Sequence, residues 1–406
     1  MAARSAVAPA RRAAYEVVLR VFEDDAYADR AFAAAAVGLD ARDRALAQQI
    51  AYGTVQRVRA LDHGIETLGR RPVRKLDPPV RAALRLGAFQ LAYLDRVAVH
   101  AAVNESVELV RRGRLERAVP FTNAVMRRLA EGLRGLLDGL PDGPLRESYP
   151  DWIYETWRRD WGEKEALALM RAQNEAPETV VRLIRGQIDG EPTDVPGAWR
   201  VERVDERALA DGRIWPQSRG SQLAALAVGS QPGERVLDLC AAPGGKATML
   251  AGEVVAVELH QGRARELEEN VRRLGATNVR VVNADGLALP PELDGFDRAL
   301  VDAPCSGLGV LAGRPDLRWR AQPLPELQLA LLRAAAERVK HGGIVTFSVC
   351  TLNTDENEAV VDAAGLEIDD LGAEWPAFRH PKRPAFLLTT PHRHGTSGFF
   401  VARLRV

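Results

Sequence analysis

Three cysteines occur in the 406 residues, and each lies in a segment suited to chemistry. Cys240 lies in the run Leu-Asp-Leu-Cys-Ala-Ala-Pro-Gly-Gly-Lys that ends at Lys246, where a strand enters a glycine-rich turn. Cys305 follows Asp-Ala-Pro, and Cys350 follows Thr-Phe-Ser-Val, so these two thiols come just after apolar stretches. A strand that leads into a glycine-rich turn is typical of a nucleotide-type cofactor site. Two thiols facing such a site indicate covalent group transfer.

These segments fall in a region whose hydrophobic pattern alternates between strands and helices. This alternation predicts an α/β fold, with a mostly parallel sheet and helices on both of its faces. Two apolar segments near the C-terminus, 386–390 and 398–404, are expected to add an antiparallel pair. The predicted strands are 235–239, 254–258, 279–283, 297–302 and 344–349, and the predicted helices are 246–252, 260–274, 325–340 and 355–364.

Acidic side chains follow four successive predicted strands: Asp238, Glu258, Asp285 and Asp302. Any one of them could be an ordinary helix cap, but open α/β sheets bind their ligands at the carboxyl ends of the strands. Glu258 comes 20 residues after Asp238, the spacing at which an acidic residue binds ribose hydroxyls. Asp285 is placed for an adenine amine. Four acidic strand ends therefore favour an adenosine-type ligand.

The glycine-rich turn narrows the choice of cofactor. It is not the Gly-x-Gly-x-x-Gly of dinucleotide sites, and it lacks the Gly-Lys-Ser/Thr of a Walker loop. S-adenosyl-L-methionine is the adenosine cofactor that remains. The seven histidines form no metal-binding pattern with the cysteines, so no metal is expected.

Composition excludes several other classes of protein. The apolar fraction of 46% supports folded cores, and no apolar run approaches the roughly 18 residues that span a membrane. Residues 1–12 lack the apolar core of a signal peptide, and three widely spaced cysteines argue against a disulfide framework. We expect a cytoplasmic protein with no membrane partner, and we expect it to act as a monomer.

The N-terminal part of the chain reads differently from the rest. Residues 9–135 follow helical spacing, which predicts a compact helical domain. Net charge is zero, but residues 1–150 hold 24 Lys and Arg against 18 Asp and Glu, a weak indication of a polyanionic partner. A Gly- and Pro-rich linker follows, and then a β-branched strand at 179–184. The predicted domains are a helical domain at 1–140, a connecting region at 141–230 and the α/β domain at 231–406.

The order of these motifs resembles the RNA cytosine-C5 methyltransferases. The helical part resembles a NusB-type RNA-binding domain, so the whole chain is similar to the RsmB (Sun/Fmu) family, which modifies 16S ribosomal RNA. The resemblance implies a class I Rossmann-like methyltransferase domain after an all-α NusB-like domain, with a small, reduced RNA platform in the connecting region. The segments that carry it are 103–109, 121–129, 237–246, 302–307, 348–352, 357–358 and 390–400.

The resemblance implies methyl transfer from S-adenosyl-L-methionine to cytosine C5 through a covalent adduct between a cysteine and C6. C5 is a poor nucleophile, and a thiolate that adds to C6 makes the ring an enamine. The family implies Cys350 as the nucleophile and Cys305 as the thiol that assists release; the residues alone do not choose between them. Asp302 is placed for N3 of the base if it holds a proton. The predicted cofactor-binding residues are Cys240, Ala241, Ala242, Pro243, Gly244, Gly245, Lys246, Glu258, Asp285 and Asp302.

Several roles stay open at this point. A free cysteine is commonly a small buried hydrophobic residue, and this is the preferred interpretation of the Cys240 side chain. Glu258 stands where the family more often has Asp, and the segment around Gln217 and Ser221 matches the family only loosely. The remaining candidates for RNA contact are equally well explained as loop or helix-end residues; they are Arg314, Arg318, Trp319, His392 and His394.

Two other functions deserve comparison. A non-enzymatic RNA-binding or antitermination factor could carry a degenerate α/β domain, but such a domain should have lost a thiol, a glycine or an acidic strand end, and none is lost. A DNA cytosine methyltransferase would use the thiol after Pro304 as its nucleophile and would not need Cys350. The domain order and the Ser-Val-Cys-Thr segment at 348–351 argue against it.

Overall fold

The structure is a computed structural model that describes residues 7–406. The first six residues, half of the segment 1–12 that lacks a signal-peptide core, lie outside the described residues. The helices are α1 Pro9–Glu23, α2 Ala28–Ala35, α3 Ala41–Gln56, α4 Val58–Gly69, α5 Pro78–Tyr93, α6 Val99–Arg112, α7 Val119–Asp138, α8 Asp151–Trp161, α9 Glu163–Ala172, α10 Glu206–Ala210, α11 Arg219–Leu226, α12 Gln261–Leu274, α13 Leu317–Arg320, α14 Pro325–Ala336, α15 Glu358–Ala364, α16 Leu371–Glu374 and α17 Pro391–His394. The strands are β1 Val180–Leu183, β2 Glu191–Pro192, β3 Ala198–Arg200, β4 Ile214–Pro216, β5 Arg235–Asp238, β6 Glu253–Glu258, β7 Val279–Asn283, β8 Phe296–Asp302, β9 Val339–Val349, β10 Glu367–Asp369, β11 Leu387–Thr389 and β12 Phe399–Arg405.

The chain forms two compact units. The helical unit comprises the chain up to Asn174 together with Gly313–Arg320, and the α/β unit comprises Glu175–Ala312 and Ala321–Val406. These units do not coincide with the three predicted domains, because residues 141–174 pack with the helical unit and residues 175–230 with the α/β unit. Domain boundaries at residues 140 and 230 stay a prediction.

The helical unit is built around α5, which is buried along most of its length. Its start suits a helix, since Pro78 occupies the first turn, where no intrahelical N–H bond is lost. Asp40 caps α3 by accepting a hydrogen bond from the Asp43 amide at 2.8 Å. The helical character predicted for residues 9–135 is therefore confirmed.

The α/β unit contains a small antiparallel sheet in the order β2-β3-β1-β4 and a larger mixed sheet in the order β10-β12-β9-β8-β5-β6-β7. In the larger sheet, β5 to β9 run parallel, and β12 runs antiparallel against β9. β11 pairs antiparallel with β12, as predicted for the C-terminal pair. The α/β fold class and all the strands predicted for this sheet are confirmed, with ends that differ by one or a few residues.

Three helix predictions in this unit were wrong in extent, and one of them, predicted to start at residue 355, begins at Glu358. The predicted helix 246–252 is a single 3-10 turn, Ala247–Met249, because Gly252 adopts a φ of +80° and the chain enters β6 at the next residue. The helix predicted to reach residue 340 ends at Ala336, since β9 already pairs with β8 at Val339. Among residues 7–406, no helix is both long and apolar enough to cross a bilayer.

Candidate functional site

Two thiols meet at the carboxyl edge of the large sheet because β8 and β9 are parallel neighbours. Asp302, the last residue of β8, pairs in register with Ser348 of β9. Cys305 lies three residues beyond β8, and Cys350 follows β9 directly. Their Sγ atoms are 3.4 Å apart, within hydrogen-bonding distance, and both residues are half-buried. Neighbouring strands thus bring together two thiols that are 45 residues apart in the chain.

The two thiols differ in acidity. The hydrogen bond from Cys305 lowers the pKa of Cys350, although burial and the nearby Asp302 oppose this effect. The same hydrogen bond, with burial and the charge on Cys350, raises the pKa of Cys305 well above its ordinary value. The arrangement therefore favours a Cys350 thiolate that accepts a hydrogen bond from a neutral Cys305 thiol.

An ion pair lies beside these thiols. Lys246 Nζ donates to Asp302 at 2.6 Å, and Ser348 Oγ donates to the other oxygen of Asp302 at 2.7 Å. Burial lowers the pKa of Lys246, but the ion pair with Asp302 outweighs burial, so the net shift is upward. The charge on Lys246 also lowers the pKa of Cys350. Lys246, predicted as a residue of the cofactor turn, is thus held by Asp302, three residues before Cys305.

Asp238 is a deeply buried carboxylate whose charge is only partly offset by Lys246. It ends β5, is 1% exposed, and neither of its carboxylate oxygens has a hydrogen-bond partner among the described residues. Burial, with repulsion from Asp302, raises the pKa of Asp238 to about 7. A buried carboxylate without donors is costly, so this side chain is suited to accept hydrogen bonds from a polar ligand.

The glycine-rich turn has no room for side chains. Gly244 has a φ of +107°, and a Cβ there would approach Leu267 to 2.8 Å. A Cβ on Gly245 would approach the Trp215 ring nitrogen to 2.7 Å. Burial raises the pKa of Cys240, the residue that opens this turn, far above its ordinary value. A raised pKa disfavours the thiolate of Cys240, as the interpretation of this side chain as a packing residue expects.

β1 of the small sheet braces the turn from outside. Arg182 donates to the Gly245 carbonyl at 3.0 Å and to Thr248 Oγ1 at 2.8 Å. It is a buried guanidinium, and burial lowers its pKa to about 10. Arg182 was not singled out from the sequence, because its strand carries no motif and arginine is the most abundant charged residue here.

The other two acidic positions lie along the same edge, at β6 and just beyond β7. Glu258 is buried at the end of β6, where it accepts from the His260 amide at 2.9 Å and lies 3.5 Å from Arg263. Asp285 lies two residues beyond β7, is exposed, and accepts from the Leu287 amide at 2.9 Å. The sheet therefore brings the predicted acidic residues to one edge, with different degrees of burial.

These residues fit an adenosine cofactor. The turn of small residues permits close backbone approach, Asp238 offers two unpartnered acceptors, and Asp285 is open to solvent. In such an arrangement Glu258 would hold the ribose and Asp285 the adenine amine. Among the described residues, no group of three or more His, Cys, Asp or Glu side chains is arranged to hold a metal ion.

Several of the residues left open from the sequence make defined local contacts. Gln217 Nε2 donates to Ser221 at 3.2 Å and lies 3.4 Å from the sulfur of Met249, so both side chains lie under the glycine-rich turn. His394 accepts from the Thr390 amide at 2.9 Å, and burial lowers its pKa. Arg318 is fully buried in the helical unit, which is incompatible with direct RNA contact by that side chain.

The fold and this site define a class I Rossmann-like methyltransferase domain preceded by a NusB-like domain. The profile of the family described as 16S rRNA methyltransferase RsmB/F matches residues 225–405, and that of the NusB family matches residues 8–131. The chain belongs to the RsmB/F family of 16S rRNA methyltransferases. Its cofactor is S-adenosyl-L-methionine.

Individual proteins agree with this assignment. The probable ribosomal RNA small subunit methyltransferase B of Synechocystis is 33% identical over 98% of this chain and 99% of its own length. The ribosomal RNA small subunit methyltransferase B of Thermus thermophilus is 37% identical over 90% of this chain and 89% of its own length. The crystal structure of PH0851 superposes with a TM-score of 0.81 over 99% of this chain and 100% of that one, and its 23% identity shows a shared fold.

Proposed function

We propose that this protein transfers a methyl group from S-adenosyl-L-methionine to C5 of a cytosine in 16S ribosomal RNA, through a covalent bond between Cys350 and C6. One observation carries the proposal: the Cys305 and Cys350 sulfurs lie 3.4 Å apart beside the Lys246–Asp302 ion pair. The relatives named for the small-subunit ribosomal RNA supply the substrate class.

Cys350 is assigned as the nucleophile because its environment favours the thiolate. Its hydrogen bond with Cys305 and the positive charge of the nearby Lys246 both lower its pKa. A DNA-type mechanism would need the reverse, with Cys305 as the thiolate. The pKa of Cys305 is instead raised well above its ordinary value.

Attack of the Cys350 thiolate on C6 forms a carbon–sulfur bond and pushes the electron pair of the C5–C6 double bond into the ring, towards N3 and O2. The Lys246–Asp302 pair stabilises that charge at N3, with its ammonium as a proton source. C5 is then nucleophilic. The bound cofactor supplies an electrophilic methyl group on its sulfonium, and the residues of the turn orient it.

Cys305 acts after methyl transfer. While Cys350 is a thiolate, the hydrogen bond and charge of Cys350 raise the pKa of Cys305. Once the Cys350 sulfur is bonded to C6, it carries no charge, so both of these effects disappear and the pKa of Cys305 falls. Cys305 can then lose its proton to solvent, and the resulting thiolate removes the C5 proton. The electrons of that C–H bond restore the C5–C6 double bond, the bond between C6 and sulfur breaks, and Cys350 leaves as a thiolate. The proton taken up at N3 returns to Lys246.

Recognition of the RNA is assigned to the helical unit, and the chemistry to the α/β unit. C5 and C6 must be exposed to reach the half-buried thiols, so we expect an unpaired or flipped cytosine. Because the substrate is ribosomal RNA, we place the protein in the cytoplasm, and we propose that it acts as a monomer.

Bisulfite sequencing of 16S ribosomal RNA tests this function. RNA from a strain that lacks the gene is compared with wild type at every cytosine, and the purified protein then methylates the unmodified RNA in vitro. The proposal predicts one protected cytosine that is lost in the deletion strain and restored by the protein with S-adenosyl-L-methionine. Identical protection in both strains, with no methyl transfer in vitro, would contradict it.

A further inference from the structure

A buried carboxylate links the two thiol-bearing segments. Glu356 is 0% exposed and lies in the loop between β9 and α15. It accepts a hydrogen bond from the Ser306 amide at 2.9 Å, and the Ser306 hydroxyl donates to its other oxygen. It also accepts from Thr351 Oγ1 at 3.3 Å. Ser306 directly follows Cys305, and Thr351 directly follows Cys350. Each thiol is therefore next in sequence to a residue that donates a hydrogen bond to Glu356.

The same carboxylate also reaches the start of α14. The Leu324 amide donates to Glu356 at 3.1 Å, and Gln328 Nε2 donates to it at 3.0 Å. Gln328 further donates to the carbonyl of Pro304, the residue before Cys305, at 2.9 Å. Three segments of the α/β unit therefore meet at one side chain.

Each hydrogen-bond partner that the structure gives Glu356 is neutral; they are Ser306, Leu324, Gln328, Thr351 and Asn353. Burying a carboxylate among neutral donors gains little over an apolar side chain of similar size, since the desolvation cost is large. A positional role accounts for its presence better than a contribution to stability. A charged acceptor with several donors also fixes geometry more tightly than a neutral one.

We propose that Glu356 is a positioning residue of the methyl-transfer reaction, which fixes the segments of Cys305 and Cys350 at the separation the two-thiol mechanism needs. The inference rests on the proposed function, but its direct test is the spacing of the thiols. The Ser306 hydroxyl also contacts Thr351 Oγ1 at 2.8 Å, so the bridge between the two segments is continuous. The Glu356 charge adds a smaller effect that keeps Cys305 protonated, because it contributes to the raised pKa of that thiol.

Thiol spacing can be measured without RNA or methylation. Diamide oxidises two adjacent thiols to a disulfide: both thiols lose their protons, the sulfur–sulfur bond forms, and diamide takes up two electrons and two protons to become the hydrazine. We expect wild type to form the Cys305–Cys350 disulfide readily. Glu356→Ala should form it roughly tenfold more slowly or worse, because the two segments are no longer fixed.

Glu356→Gln provides rescue by a near-isosteric side chain. Its Oε1 can keep the amide donors Ser306, Leu324 and Gln328, while its Nε2 donates to the Ser306 and Thr351 hydroxyls, which can reverse their roles. We expect a disulfide rate within about threefold of wild type. The pH profile of Cys350 alkylation should move in Glu356→Ala and stay closer to wild type in Glu356→Gln.

The matched control is Glu358→Gln, which neutralises a second buried carboxylate two residues away. The Glu358 carboxylate lies 2.8 Å from the His380 ring nitrogen, and among the described residues the structure gives it no side-chain hydrogen bond to the segments of Cys305 and Cys350. It should leave the disulfide rate and the alkylation profile unchanged. Calorimetric binding of S-adenosyl-L-methionine shows that each variant is folded. If Glu356→Ala does not fold, Ser306→Ala and Thr351→Val replace it, and each should slow the disulfide.

Two outcomes would overturn the proposal. The first is a folded Glu356→Ala variant with the wild-type disulfide rate and Cys350 profile. The second is a Glu358→Gln variant that is as slow as Glu356→Ala, since the effect would then be general. Neither outcome depends on which base is methylated. Failure of the proposed function would instead appear as wild-type thiol behaviour without methyl transfer to 16S RNA.

Discussion

At the scale of single residues, the site works by making two identical side chains different. Cys305 and Cys350 are both cysteines at strand ends, yet one hydrogen bond and one nearby ammonium give them opposite shifts in pKa. The sequence predicts both thiols, because each follows an apolar strand. It cannot predict which one is ionised, since that depends on a 3.4 Å contact across 45 residues.

The acidity of Cys350 gives a first prediction. Replacing Cys305 with Ala removes the hydrogen bond that lowers the pKa of Cys350, so that pKa should rise. The midpoint of iodoacetamide alkylation then moves to higher pH, and alkylation at pH 7 becomes severalfold slower. Mass spectrometry of the Cys350 peptide separates this thiol from Cys240. An unchanged midpoint would mean that Cys305 does not tune the nucleophile.

The buried carboxylate of Asp238 gives a second prediction. Its pKa is raised to about 7 in the folded protein, above its unfolded value, so its contribution to stability is present at low pH and is lost as pH rises through 7. Asp238→Asn should therefore raise Tm by about a few degrees at pH 8 and by less at pH 5, in protein without cofactor. Calorimetry at both pH values measures this difference. A gain that is equal at both pH values would contradict the assignment.

Glu356 marks the limit of prediction at this scale. Nothing in its local sequence distinguishes it from Asp355, and only the folded chain shows that it bonds to both thiol segments. The sequence does predict a functional position for Lys246, because the chain has only five lysines among its 55 basic residues and this one ends the glycine-rich turn.

At the scale of elements, parallel strand order decides which side chains meet. Periodicity and turn residues predict the strands from β5 to β9, and the carboxyl-end rule for open α/β sheets then predicts their common edge. Helix lengths next to the turn are not predicted, because the tight return at Gly252 limits the segment after Lys246 to one 3-10 turn. Tertiary geometry there overrides local propensity.

The small sheet supports the cofactor turn, and this gives a third prediction. Arg182→Met removes two hydrogen bonds to the turn, at Gly245 and Thr248, while its apolar stem stays buried. S-adenosyl-L-methionine should bind about tenfold more weakly, because a looser turn must be ordered on binding. Arg185→Met, an exposed change just beyond the same strand, is the control. Equal affinity of the two variants in calorimetry would contradict a bracing role.

At the scale of the whole molecule, the segment Gly313–Arg320 folds with the helical unit although the chain on either side belongs to the α/β unit. Arg318 donates to the carbonyls of Gln56 and Gln173, and its guanidinium lies 3.8 Å from the Tyr149 ring centroid. Burial lowers its pKa to about 10. The sequence pattern does not predict that this segment packs with the helical unit, because nothing local distinguishes a buried arginine from an exposed one.

The packing of residues 313–320 with the helical unit affects how RNA binding should be tested. Deleting the helices would leave 313–320 without its partners, so exposed charges are better targets. Arg74→Gln with Lys75→Gln removes two exposed positive charges of the helical unit. RNA affinity should fall, and the slope of log affinity against log salt should decrease by roughly 1.5. Arg265→Gln with Arg272→Gln, exposed on α12, is the matched pair. Equal losses from both pairs would indicate a nonspecific charge effect.

The covalent intermediate provides the most direct test of the two-thiol mechanism. Cys305→Ala and Cys350→Ala are each incubated with unmodified 16S RNA and S-adenosyl-L-methionine, and the products are separated on a denaturing gel. Cys305→Ala should still attack C6 but release slowly, so a slow-migrating RNA–protein band is predicted for this variant. Cys350→Ala should give neither band nor methylation. A band from Cys350→Ala, or full methylation by both variants without any band, would contradict the mechanism.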